Sequence, residues 1–139
     1  MSGKGLKVLL NMLGGNKDTV EAIATSIGKI IKKVWLDKET NRLIFSFEDE
    51  SSLHVWDDGQ TCCEERFMVS DDDLNYYSEA RLLDFKVKSV PETEDDWCTH
   101  EIQFLDVKTS KGVFQIANHN VHNGYYGGFA IEASLNKMH

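Results

Sequence analysis

The sequence predicts an α+β fold, in which a mostly antiparallel sheet of about six strands carries helices at its N-terminal end and one helix in the middle of the chain. Up to Gly28, apolar residues recur at helical intervals. After Gly28, short runs of β-branched and aromatic residues alternate with turn sequences of hairpin length. The chain has 139 residues, of which 41% are hydrophobic and 27% charged, and this composition is typical of a globular protein.

Residues 1–27 are predicted to form a helical segment that precedes a single α+β domain over residues 28–139. Gly14-Gly15 is a typical helix stop, and the four residues from Asp18 to Glu21 then have the spacing of a capping box. The apolar face of the helix that follows consists of Val20, Ile23, Ala24 and Ile27. We expect this face to be buried against a sheet or against another subunit.

The remaining elements follow from the change to strand-like patterns after the helix. Strands are predicted at residues 30–36, 43–47, 53–56, 82–90, 102–108, 113–117 and 129–133, the last at an edge of the sheet. Residues 57–66 are predicted to be irregular. Residues 70–81 are predicted to be a short helix, because Ser or Asp can cap its start and three acidic residues fall in its first turn. The strand aromatics expected in the core are Trp35, Phe45, Phe47 and Trp56.

Charge and cysteine content exclude several classes of partner. The formal net charge is −8, which disfavours binding to the phosphates of a nucleic-acid polymer. No run of residues approaches the roughly 20 apolar residues of a membrane-spanning helix, so no membrane partner is expected. The three cysteines, two of them adjacent, do not form a disulfide framework. We therefore expect reduced thiols and a cytoplasmic protein.

Residues 118–128 have the most unusual composition, with three Asn, two His, two Tyr and three Gly. We interpret them as a ligand-recognition loop. Glycine lets backbone N–H groups approach an anion, Asn amides bind polar edges, and Tyr rings stack on planar groups. The alternative is purely structural: Gly and Asn supply left-handed turn conformations while the tyrosines pack on the sheet edge.

Arg66 is one of only three arginines and follows the adjacent cysteines. Its guanidinium can bind phosphate or carboxylate through two hydrogen bonds. The alternative is an ion pair with Glu64, Glu65 or another nearby acidic residue. With the neighbouring Phe67 and the recognition loop, the predicted ligand-binding residues are Arg66, Phe67, Asn118, Asn120, His122, Asn123, Gly124, Tyr125, Tyr126, Gly127 and Gly128.

The adjacent Cys62 and Cys63 raise the question of metal binding or catalysis. With His119 and His122 they offer zinc-type ligands, but adjacent cysteines rarely point at one ion, and structural zinc sites use a wider spacing. Either cysteine could act as a nucleophile with a histidine base. The flanking acidic residues would, however, raise a thiol pKa, which disfavours a nucleophile. We therefore expect no catalytic residue, no metal and no cofactor.

Three segments together carry a resemblance to a known family. They are residues 27–34, residues 58–65 with the Cys-Cys pair, and residues 120–128 with the sequence Asn-Gly-Tyr-Tyr-Gly-Gly. The chain resembles a family of unknown function that is common in phages and prophages. It is also similar to the Thoeris anti-defence sponge proteins of phages, which sequester the glycocyclic ADP-ribose signal made by bacterial TIR-domain enzymes. Some of those proteins also sequester cyclic oligonucleotides.

The resemblance implies a non-catalytic, phage- or prophage-encoded protein that acts in the cytoplasm of the host bacterium. Its partner would be a small nucleotide signalling ligand, and it would assemble as a homodimer or a higher homo-oligomer. In such a site, Tyr125 or Tyr126 could stack on adenine and Arg66 could hold the pyrophosphate. The alternative function is an acidic inhibitor of a host defence protein that imitates nucleic-acid charge, with Asp71, Asp72 and Asp73 at its interface.

Overall fold

The computed structural model describes residues 17–58, 64–89, 93–94, 99–122 and 131–137. Within these residues the chain forms one α-helix, one short 3-10 helix and nine β-strands. The helices are α1 (Lys17–Ser26) and η1 (Leu74–Tyr77). The strands are β1 (Ile31–Asp37), β2 (Arg42–Phe47), β3 (Ser51–Asp57), β4 (Glu64–Val69), β5 (Leu82–Ser89), β6 (Thr93–Glu94), β7 (Thr99–Thr109), β8 (Gly112–His122) and β9 (Ile131–Lys137).

The strands form two antiparallel sheets rather than the one predicted. The first sheet has the order β1-β2-β3-β9, and the second has the order β4-β8-β7-β5, with β6 also paired to β7. The α+β class is confirmed in its broad sense, since the described chain combines antiparallel sheets with an N-terminal helix. The prediction of a single sheet with about six strands is wrong. Turn sequences of hairpin length predict that consecutive strands pair with each other. The division into two sheets depends instead on pairings between strands that are far apart in the sequence.

The helix predicted over residues 70–81 is reduced to the four residues of η1. The Asp73 side chain caps its start by accepting a hydrogen bond from the Asn75 backbone N–H. The helix cannot extend further because the next residues pair with the start of β1. Glu79 N–H donates to Ile31 O, and Ile31 N–H donates to Ala80 O at 2.7 Å.

Helix α1 confirms the helix predicted after Asp18, and it packs mainly against β9. The Thr19 hydroxyl oxygen accepts a hydrogen bond from the Ala133 backbone N–H at 3.1 Å, so the helix covers part of the β9 edge. Ile23 is fully buried, Ile27 packs against the core, and the other two residues of the predicted apolar face are half-buried. The helix residues that the structure buries are Thr19, Ala22, Ile23 and Ser26.

The core lies between the two sheets. Phe45 of the first sheet approaches Phe85 and Phe114 of the second, with ring centroids 6.2 Å apart in both pairs. The prediction of core positions for Phe45 and Phe47 is confirmed, but for the two tryptophans it is wrong. Trp56 follows the buried Val55, so strand alternation turns it to the outer face, where Arg42 covers its ring. Trp35 is half-buried beneath Lys33.

Strand β4 falls partly within the segment predicted to be irregular. It pairs with β8 on one side, and on its other side the Asn41 side chain takes the place of a neighbouring strand. Asn41 Nδ2 donates to Arg66 O at 3.2 Å, and its Oδ1 accepts from Met68 N–H at 2.9 Å. Asn41 lies in a turn at φ 53°, a left-handed conformation that asparagine tolerates well. The side chain of a turn residue therefore provides hydrogen-bond partners for part of the edge of β4 that faces away from β8.

Replacing Asn41 by glycine is expected to lower the free energy of unfolding by about 1–3 kcal/mol, because the variant leaves two half-buried backbone groups of β4 without their partners. Glycine accepts the left-handed backbone, so the loss reports on the amide alone. Glu50→Gly is the matched control, since Glu50 is exposed at φ 70°, and it should change stability by no more than about 1 kcal/mol. Urea unfolding of both variants measures the difference, and equal effects would contradict this role of Asn41.

Candidate functional site

The inner face of the second sheet changes from apolar to polar along its length. Successive side chains of a strand point to opposite faces, so Phe114, Ile116, Asn118 and Asn120 of β8 all lie on the inner face. The first two belong to the apolar core, whereas Asn118 and Asn120 are both 0% exposed. Across the sheet, Asn118 pairs with Gln103 of β7, which is also buried. One half of this face is therefore lined by buried amides.

The amides adjoin a buried ion pair that links the two sheets. Arg66 Nη1 lies 2.8 and 2.9 Å from the two carboxylate oxygens of Asp57, at the end of β3. Asn118 Nδ2 donates to Asp57 Oδ2 at 2.8 Å. The side chains of Arg66 and Asp57 are 5% and 0% exposed, so water screens this pair very little. We call the five residues Asp57, Arg66, Gln103, Asn118 and Asn120 the polar cluster.

Among the described residues, Gln103 Oε1 and Asn118 Oδ1 of the polar cluster have no hydrogen-bond donor. Leaving a buried acceptor without a donor costs about 1–3 kcal/mol. Most buried side-chain polar atoms in proteins have partners, and exceptions often mark functional positions. These two oxygens are the strongest indication of a binding site in the described part of the chain.

Four strand ends meet beside the polar cluster. Asp57 at the end of β3 pairs with Ile131 at the start of β9, and Glu64 at the start of β4 pairs with His122 at the end of β8. The described residues that flank the connecting segments 58–63 and 123–130 therefore lie at this edge of the fold. His122, which precedes the remaining residues of the predicted recognition loop, lies at this edge.

A family model matches the part of the sequence that contains the polar cluster. The model of a domain of unknown function, DUF7448, matches residues 24–131. The chain belongs to the DUF7448 family. All five residues of the polar cluster lie within the matched range of DUF7448, as do the two connecting segments. No curated protein and no solved structure matches this chain.

The structure corrects the position of the predicted recognition loop. Residues 118–122 belong to β8, so Asn118 and Asn120 occupy a strand instead of a loop. Asparagine is depleted in strands, so the sequence pattern predicts a strand that ends at residue 117. The sequence does contain one sign of a longer strand, because Asn118 and Asn120 continue the alternation that starts at Phe114 and Ile116. Gln103, which sequence reasoning missed, alternates in the same way with Leu105.

The structure brings some of the predicted site residues together and separates others. Arg66, Asn118 and Asn120 share the inner face, and Arg66 is engaged in an ion pair with Asp57, an acidic residue close in sequence. His122 lies at the end of β8, opposite Glu64. Phe67 lies on the outer face of the sheet, away from the polar cluster. The remaining predictions lie outside the described residues: Asn123, Gly124, Tyr125, Tyr126, Gly127 and Gly128, together with Cys62 and Cys63.

On the outer face, Phe67 stacks on His119 with ring centroids 4.7 Å apart and planes 9° from parallel. His119 Nδ1 lies 2.8 Å from His100 Nε2, so one nitrogen donates and the other accepts. Two of the acidic residues suggested for an interface have structural partners. Asp72 accepts from the Gln115 backbone N–H at 2.8 Å, and Asp73 caps η1. Charge reversal at these two positions would therefore disturb the fold of the protein.

Neither a metal-binding cluster nor a membrane-spanning helix is present among the described residues. Among them, no group of three or more His, Cys, Asp or Glu side chains is arranged to hold a metal ion. In the same part of the chain, no helix has the length and apolar character needed to cross a bilayer.

The stability of the protein is expected to fall as the pH drops below about 6.5. Burial, and then the neighbouring His100, lower the pKa of His119 below its usual 6.5. Burial and the charge of Arg42 lower the pKa of His54 in the same direction. The unfolded chain regains the usual pKa values and binds more protons, so stability is fully present above 6.5 and declines through the lower folded values. Urea unfolding between about pH 7.5 and about pH 4.5 measures this decline.

The matched control is the double variant His54→Gln/His119→Gln, which should flatten the dependence over this range. Asp49 does not interfere, because its hydrogen bond from Lys29 lowers its pKa below the usual 3.8, and its contribution is lost only at more acidic pH. An unchanged slope in the double variant would contradict the assignment to these two histidines.

Proposed function

We propose that this protein is a non-catalytic binding protein that sequesters a small nucleotide signalling ligand such as glycocyclic ADP-ribose or a cyclic oligonucleotide. It would act as a homodimer or a higher homo-oligomer in the cytoplasm of a phage-infected bacterium, in keeping with the resemblance of its sequence. The observation that carries the proposal is the polar cluster, in which the oxygens of Gln103 and Asn118 have no donor among the described residues and lie near the point where the predicted recognition segment begins.

The chemistry of the polar cluster favours binding over catalysis. Three of its five residues are amides, which do not exchange protons in the physiological pH range. The other two, Arg66 and Asp57, hold each other in a buried pair. Amides with defined positions provide orientation and specificity for a small polar ligand, which is the usual role of the few polar groups in a ligand site.

The balance of charge favours a small ligand over a polymer. Arg66 and Asp57 cancel within the polar cluster, whereas the whole chain carries a formal charge of −8. A long polyanion would meet repulsion over many residues, but a small ligand that enters beside the polar cluster would meet a locally neutral site.

Isothermal titration with glycocyclic ADP-ribose and a set of cyclic di- and trinucleotides tests this function. We expect saturable binding of at least one of these ligands and no binding of a double-stranded DNA fragment. The bound ligand should be recovered chemically unchanged after the protein is denatured. If none of the nucleotides binds, or if the recovered ligand has been cleaved, the proposed function is wrong.

A further inference from the structure

The hydrogen-bonding capacity of the polar cluster is unevenly used. Asn118 gives its Nδ2 to Asp57, while its Oδ1 has no donor among the described residues. Gln103, directly opposite on β7, likewise has its Oε1 without a donor there. Side chains that are directly opposite on paired strands have Cβ atoms about 4.5–5.5 Å apart, close enough for both to contact one ligand group. The two oxygens of this row can each accept a hydrogen bond from a ligand.

The cation of the polar cluster is already engaged. Arg66 directs Nη1 at both carboxylate oxygens of Asp57, and both side chains are buried. Moving Nη1 from Asp57 to a phosphate would leave Asp57 as a buried carboxylate without its cation, which is strongly unfavourable. We therefore expect Nη1 of Arg66 to stay on Asp57 when a ligand binds.

We propose that Gln103 and Asn118 form an acceptor subsite that binds a neutral hydrogen-bond donor group of the ligand, while the ligand's phosphates remain outside it. This inference rests on the proposed function and names the part of the nucleotide that enters. Sugar hydroxyls and the amino group of a base both donate hydrogen bonds, and either can satisfy the two amide oxygens. An ionised phosphate only accepts, so its oxygens would face the amide oxygens without a proton between them.

Because the Gln103 oxygen has no donor in the described structure, its removal has a distinctive expected result. Gln103→Met keeps the length of the side chain and removes the amide. A residue needed only for folding would destabilise the protein when replaced. The acceptor subsite predicts instead a melting temperature equal to that of the wild type or higher, with nucleotide affinity reduced about tenfold. Gln115→Met is the matched control, because Gln115 is exposed on the outer face of the same sheet and should bind normally.

Competition titrations against the bound nucleotide identify the group that enters. Adenosine should compete and inorganic pyrophosphate should not. Purine riboside keeps the sugar hydroxyls but has no N–H donor on its base, whereas 2′,3′-dideoxyadenosine keeps the amino group but lacks the 2′- and 3′-hydroxyls. Competition by only one of these two analogues assigns the donor to the sugar or to the base, and competition by both assigns one donor to each.

The outcomes that overturn the acceptor subsite differ from those that overturn the proposed function. Normal nucleotide binding by Gln103→Met, or competition by pyrophosphate with none by adenosine, overturns the subsite alone. Failure of the wild-type protein to bind any nucleotide overturns the proposed function, and the subsite with it.

Discussion

Replacing Arg66 by alanine is expected to lower the free energy of unfolding by about 3–5 kcal/mol. The substitution leaves the carboxylate of Asp57, whose side chain is fully buried, without the cation that contacts both of its oxygens. Asn118 still donates one hydrogen bond, but an amide does not neutralise the charge. Most of the loss therefore arises from an uncompensated buried charge and not from the removal of an attraction.

Urea unfolding of Arg66→Ala beside Lys88→Ala measures this effect. Lys88 pairs with Asp106 at 3.1 Å, but its side chain is 61% exposed, so its loss should cost no more than about 1 kcal/mol. The double variant Asp57→Leu/Arg66→Met removes both charges and should be more stable than Arg66→Ala. Similar losses in Arg66→Ala and Lys88→Ala would show that the buried pair contributes no more than a surface pair.

Replacing Phe45 by alanine is expected to cost about 3–5 kcal/mol. Phe45 is 0% exposed, stacks on Phe47 within its own sheet, and contacts Phe85 and Phe114 of the other sheet. Its truncation removes apolar contacts with both sheets and leaves a cavity at their interface, which the surrounding strands can fill only partly.

The control for Phe45 is Val113→Ala, since Val113 is 55% exposed and should change stability by less than about 0.5 kcal/mol. Both variants are compared by their urea midpoints and by the dependence of the unfolding free energy on urea concentration. A loss below about 1 kcal/mol for Phe45→Ala would contradict close packing between the two sheets.

These two contacts join the sheets by different physical means. At the apolar half, Phe45 excludes water from the interface, whereas at the polar half the link is the pair between Asp57 and Arg66. A polar half is costly to bury, because each amide and each charge requires a partner. The burial of these polar groups beside the two connecting segments is what we expect of a ligand site, where stability is commonly given up for binding.

Local patterns in the sequence determined much of the secondary structure. The alternation around Phe45 and Phe47 predicted β2, the helical spacing after Asp18 predicted α1, and Gly28 at φ 93° ends that helix as expected. Each of these signals lies within a few consecutive residues, where the period of apolar residues reflects the local conformation directly.

Only the tertiary structure decided how these elements combine into a site. Asp57 and Arg66 are nine residues apart and Asp57 and Asn118 are 61 apart, and no local period relates them. The acidic and amide-rich composition of β4 and of the end of β8 is atypical of strands. They are strands because each pairs with the other, and because Asn41 completes the edge of β4. The sequence alone thus determined most strands and one helix, whereas long-range pairing decided which polar residues are buried together.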